Sequence, residues 1–120
     1  MKYLSLMTVL FVLAGCSSNH SSVSEVDMSA AESVDFMRPY ELSRNDVSFV
    51  SLGQVQGESC QANVFSEKPT QQKALLRMKI AAAKLGANRL ILRSCQQDQT
   101  DDCRARWICT GDAHQAQPLQ

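Results

Sequence analysis

Four cysteines, Cys60, Cys95, Cys103 and Cys109, dominate what the second half of this chain can become. They lie within the stretch of regular patterning, residues 47–112. A domain of about 65 residues buries too little surface to be stable on a hydrophobic core alone and usually needs staples. In an exported chain, cysteines supply them. Four cysteines allow three pairings. Period-two alternation groups Cys95 with Ile91 and Arg93, and Cys109 with Trp107 and Ala105. A Cys95–Cys109 bridge between two strands is then possible, which leaves Cys60–Cys103. A Cys103–Cys109 bridge would instead close a short loop. The residues alone leave these pairings open. Separations of 35, 8 and 6 residues are unlike the close cysteine pairs of structural zinc sites. There is no Cys-x-x-Cys pair of the thioredoxin kind.

Export is legible at the other end. Lys2 is followed by a mostly apolar run, residues 3–14, ending in Leu13-Ala14-Gly15-Cys16. The run is shorter than the roughly 20 residues of a membrane-spanning helix. It reads as a secretory signal over residues 1–15, with small residues before a cysteine in the manner of a bacterial lipoprotein. Cys16 is the expected lipidation site and first mature residue. Each buried methylene contributes about 0.8 kcal/mol, so two or more acyl chains anchor stably. Ser17 rather than Asp after the cysteine implies, in such lipoproteins, export to the outer membrane.

Residues 16–46 read as a lipidated N-terminus and disordered tether. The span 17–46 carries six acidic residues against Arg38 and Arg44, a net charge of −4, and its large apolar residues are isolated. Such a stretch offers little burial to offset about 1–2 kcal/mol of backbone ordering per residue. A short helix is expected around residues 30–37. Fully extended, the tether would span about 100 Å; as a coil it averages about 30 Å.

The domain itself reads strand, short strand, helix, strand, strand. Residues 47–55 are rich in β-branched and aromatic types, with Gly57 as the closing residue and a short second strand at 61–65. Pro69 opens a helix. Ala74, Met78, Ala81, Ala82 and Leu85 recur at three- and four-residue spacing, and Gly86 is a left-handed stop. Residues 87–95 form the strongest strand; residues 104–110, with Trp107, form the last, ended by Gly111. Residues 113–120, with His114, read as a frayed tail. The expected fold is α+β: a small, mainly antiparallel sheet covered by one helix and stapled by two disulfides.

The whole chain has 12 basic and 12 acidic residues, which argues against a duplex nucleic-acid partner. Residues 47–120, by contrast, carry a net charge of +3. Lys73, Arg77 and Lys84 on the helix, with Arg89, Arg93, Arg104 and Arg106 on the strands, are candidates for a partner-facing surface. The alternative is a solvated face with salt pairs. Trp107 reads as core packing before it reads as an interface anchor. His20 and His114 fall in segments read as flexible, where a positioned base is hard to build. No glycine-rich phosphate loop is present. The chain is read as no enzyme, with no cofactor and no metal.

Leu52-Gly53-Gln54-Val55-Gln56-Gly57-Glu58-Ser59-Cys60-Gln61 resembles the start of the periplasmic domain of the RcsF family, the outer-membrane sensor lipoproteins of the Rcs envelope-stress phosphorelay. Arg77-Met78-Lys79-Ile80-Ala81-Ala82, Gly86-Ala87-Asn88, Leu90-Ile91-Leu92-Arg93-Ser94-Cys95 and Ile108-Cys109-Thr110-Gly111 extend the likeness. It covers the lipidation site and about residues 50–112. The resemblance implies first-to-third and second-to-fourth disulfides, here Cys60–Cys103 and Cys95–Cys109, installed by periplasmic oxidation and isomerisation enzymes. It also implies contact with an inner-membrane negative regulator of the phosphorelay (IgaA-like), and loading by the outer-membrane assembly machinery (BamA-like) onto β-barrel proteins. The tether departs from the family's proline-rich, basic type: Pro39 is its only proline.

Two functions are therefore expected. One is a lipid-anchored sensor in the outer membrane of a Gram-negative bacterium, with a periplasmic head that relays stress by contacting a regulator. The other is a non-signalling lipoprotein module that binds a small ligand or metal, or assists envelope assembly.

Overall fold

In the computed structural model the described residues are 24–119. The signal segment, the Cys16 lipidation site and Gln120 lie outside them. The chain order is α1 (Glu25–Glu32), β1 (Asp35–Phe36), a 3-10 turn (Pro39–Ser43), β2 (Val47–Gln61), α2 (Gln71–Lys84), β3 (Arg89–Asp98) and β4 (Ala105–Pro118). The sheet order is β1-β3-β4-β2. Both long pairings, β2 with β4 and β3 with β4, are antiparallel, and only the two-residue β1 is parallel to its neighbour.

α2 starts where its sequence supplies a cap. The Thr70 side chain accepts a hydrogen bond from the Lys73 backbone N–H at 3.1 Å, satisfying a donor that the first turn cannot. Pro69 thus lies one residue outside the cap. Gly86 ends the helix with a φ of +88°, a conformation that costs glycine little. The buried stripe is Ala74, Met78 and Ala82, and it meets Val55, Leu90, Cys109 and Ala113 of the sheet. Leu85, expected in that stripe, is half exposed.

Both glycines read as strand terminators prove to be internal to strands. Gly57 faces α2 so closely that a Cβ there would lie 2.2 Å from the Ala74 carbonyl oxygen and 2.3 Å from the Met78 nitrogen. A Cβ on Gly111 would lie 2.6 Å from the Ile91 carbonyl oxygen. Val55 pairs with Gly111 and Gly57 with Cys109, so the two glycines form a thin floor under the helix. β2 therefore runs on to Gln61, and the expected second strand at 61–65 is a loop beyond that end.

The tail is likewise part of the sheet. Residues 113–118 are not frayed: β4 continues to Pro118, paired with β2 through Val47 and with β3 through Arg89. Ala113 and His114 are buried. A central strand flanked on both sides keeps its backbone paired whatever its polarity.

Of the expected tether, residues 16–23 lie outside the described residues, and residues 24–46 are ordered. Residues 24–46 carry α1, β1 and the 3-10 turn, and they pack on the domain. Ser24 caps α1, accepting from the Asp27 N–H at 3.1 Å, and Glu25 and Asp27 in the first turn suit the helix dipole. Ala31, Val34 and Met37 are buried, and Val34, completely so, belongs to the same core as α2. These three anchors, isolated in sequence, give the segment the burial that its composition did not advertise. The return from β1 to β2 crosses the sheet from one edge to the other.

Candidate functional site

The cysteines close first to third and second to fourth. Cys60–Cys103 joins the end of β2 to the loop before β4, with a Cα separation of 5.4 Å across 43 residues of sequence. Cys95–Cys109 links directly opposed residues of β3 and β4 beneath α2, at 4.1 Å across 14 residues. The reasoning by alternation needs one correction. A bulge between Leu92 and Ser94 switches faces, so Cys95 shares its side with Leu90 and Leu92, and not with Ile91 and Arg93. With all four thiols consumed in disulfides, none of them is a zinc ligand.

The expected basic surface is divided in two. Lys73, Arg77 and Lys84 line one stripe of α2 on the β2 side. Lys73 pairs with Glu67 at 2.5 Å, and Arg77 donates to the Glu58 carbonyl at 2.7 Å. Lys84 occupies the last turn of the helix, where a cation suits the exposed carbonyls. Arg89 and Arg93 lie across the sheet. Arg89 reaches Asp35 at 3.7 Å and donates to the Asn88 carbonyl at 2.8 Å; Arg93 pairs with Asp112. Arg104 is exposed ahead of β4, its backbone N–H bonded to the Gln61 carbonyl at 2.7 Å.

The best-organised charges were not foreseen as a unit. Arg106 of β4 makes a bidentate pair with Asp98 of β3, at 2.7 and 2.6 Å, and reaches Glu58 of β2 at 3.0 Å. One guanidinium thereby ties three strands together. The hydrogen bonds from Arg106 hold the Asp98 carboxyl below its ordinary range, and Asp98 and Glu58 in turn raise the guanidinium's own pKa. The Lys73 ammonium likewise lowers the Glu67 carboxyl by hydrogen bonding. Arg106 and Lys73 are thus committed to salt pairs. Sequence carried no sign of the Arg106 triad, because Glu58 and Asp98 come beside Arg106 only through the strand register.

Beside this triad lies an open cleft of about 500 Å³, lined by Trp107, Arg106, Asp98, Lys68 and Gln61. Trp107 does two things there. It packs on the edge of the core beside Cys95 and Cys109, and it presents its remaining surface to the cleft. His114 is buried with its Nδ1 bonded to no described group, which corrects its reading as a solvated tail residue. Among the described residues, no three His, Cys, Asp or Glu side chains gather as a metal site.

Comparison with known proteins fits this arrangement. The model of the RcsF lipoprotein family matches residues 16–116. This chain belongs to the RcsF lipoprotein family. The outer membrane lipoprotein RcsF of Escherichia coli K12 is 39% identical over 66 residues, covering 54% of this chain and 49% of the relative. The same figures hold for the protein of that name from Escherichia coli O6:H1. The matched stretch spans about half the length of these curated relatives. The family match begins at Cys16 and runs through both disulfides of this RcsF family member.

Proposed function

We propose that this chain is an outer-membrane lipoprotein that senses envelope stress and relays it to the Rcs phosphorelay, and that it does so as a binding partner and not as an enzyme. The carrying observation is a family match that includes both Cys16 and the doubly cross-linked domain. Lipid on Cys16 holds the chain to the membrane, with the domain in the periplasm. The disulfides keep the domain rigid, so its surface is a fixed shape for recognition. Signalling then depends on where the domain is and what it touches. An inner-membrane negative regulator (IgaA-like) is the proposed target, and the assembly machinery (BamA-like) with its β-barrel clients the proposed route of placement.

The proposed contact uses the cations Lys73, Arg77, Lys84, Arg89 and Arg93. Their division into an α2 stripe and a β3 pair makes them separable by mutation. The test is a deletion strain carrying a phosphorelay reporter under envelope stress, complemented with the chain and its variants. The native chain restores the response. Cys16→Ala releases the protein from membranes and disturbs the response. A reporter that responds fully without the chain would refute the signalling role, and a normal response from a soluble periplasmic form would refute the anchored mechanism.

A further inference from the structure

We infer that the outer edge of β2 pairs with the same edge of a second copy of this chain, antiparallel and centred on Phe49. The direction of each backbone group follows from β4. Asn88 bonds both the N–H and the C=O of Ala116, at 2.7 and 3.0 Å, and its own N–H donates to the His114 carbonyl at 3.1 Å. Even-numbered residues of β4 at this end thus point toward β3, and odd-numbered ones toward β2. Phe49 is opposite Ala116, and Val47 is opposite Pro118. The N–H and C=O of Val47 and Phe49 are therefore directed away from β4, as are those of Ser51, opposite His114. No described residue bonds them.

An edge of this kind is normally protected. Elsewhere on this sheet it is. The Glu58 carbonyl, on the same outer edge of β2, accepts from Arg77, and the opposite edge of the sheet carries β1. The stretch Val47-Ser48-Phe49-Val50-Ser51-Leu52-Gly53-Gln54-Val55-Gln56 has no charge and no proline. It combines high β-propensity with nothing that repels an identical neighbour. The bulge between Ser51 and Gly53 ends the straight edge and limits the pairing to residues 47–51.

Within that segment the pattern is self-complementary. A two-fold axis at Phe49 sets Phe49 against its equivalent and Val47 against Ser51 of the second copy, each outward group meeting an outward group. Every such pair exchanges two hydrogen bonds, and the aromatic pair adds side-chain contact. Ser48 and Val50, both exposed on the α2 side, face each other across the junction. The contact is isologous and closes as a dimer. It is smaller than the roughly 1,200–2,000 Å² of a standard interface, so it is weak in dilute solution and is strengthened when both copies share a membrane.

The test uses the acylated chain in detergent micelles, examined by sedimentation up to about 100 µM, the range suited to a weak contact. The native chain shows a concentration-dependent dimer. S48K/V50K sets like charges opposite each other and reduces the dimer fraction at least fivefold. S48K/V50E sets opposite charges there and restores it. Co-expressed S48C and V50C chains cross-link with each other, and neither does so alone. Circular dichroism confirms that these surface variants are folded. A native chain that stays monomeric assigns the edge to some other occupant and overturns the inference. So does a dimer indifferent to S48K/V50K.

Discussion

Gly57 shows how much one missing methyl group decides. Its Cα faces the backbone of α2 at Ala74 and Met78, and no side-chain rotation makes room there. Overpacking of a core typically costs about 1–3 kcal/mol. Gly57→Ala is expected at or above the top of that range, because the atoms in the way are backbone. Urea unfolding of the variant, compared with Gln56→Ala one residue away on the exposed side, measures it. The neighbouring salt pairs act more gently and depend on pH. Asp98, Glu67 and Asp46 all have lowered carboxyl pKa values, chiefly through hydrogen bonds from Arg106, Lys73 and Arg44. A carboxyl lowered in the folded state stabilises above its unfolded value, about 4, and loses that contribution as pH falls through the folded value. The denaturant midpoint is thus expected to drop between about pH 5 and pH 2. Asp98→Asn should show a smaller drop than the native chain. An equal drop in both would show that the Asp98–Arg106 pair contributes nothing.

At the scale of elements, the two disulfides differ in what they close. In the chain-entropy model a loop of about 15 residues is worth about 3 kcal/mol and one of about 44 residues roughly 4. Replacing Cys60 and Cys103 together by alanine is therefore expected to lower stability somewhat more than replacing Cys95 and Cys109, unless the cavity left under α2 by the buried Cys109 reverses the order. Thermal unfolding of the two double variants decides between loop length and packing. The end of β4 makes another prediction. A chain truncated after Asp112 loses the pairing of residues 113–118 with β2 and β3. It should be strongly destabilised, where loss of a frayed tail would be silent; limited proteolysis and thermal unfolding show which.

These elements also show what could be read beforehand. α2, β3 and the Gly86 stop were legible because their apolar residues recur at a regular spacing and their caps are local. The far ends of β2 and β4 were not, because Gly57 and Gly111 look like terminators in a one-dimensional reading. Their actual role, clearance for α2 at Gly57 and for the Ile91 carbonyl of β3 at Gly111, exists only once the domain is packed. Residues 24–46 were illegible for a related reason. Ala31, Val34 and Met37 are single apolar residues spread over the end of α1, the turn after it and the residue after β1, and only the assembled core shows that Val34 belongs with α2. The disulfide pairing came from family likeness, and the Arg106 triad needed the strand register.

For the whole molecule, the docking of residues 24–37 is itself testable. Val34 is fully buried in the main core, so Val34→Asp should release the segment and lower the melting temperature, with new protease sensitivity confined to residues 24–46. The same docking changes the mechanics of the anchor. From Cys16 to Ser24, the cap of α1, the backbone covers at most about 29 Å even when pulled straight. Held by acyl chains at Cys16, the domain would be on a short leash: reaching the proposed regulator in the opposite membrane would demand either that the regulator protrude most of the way or that α1 and β1 peel off under tension. In the second case the strength of the Val34 and Met37 seats would set the force at which the line pays out.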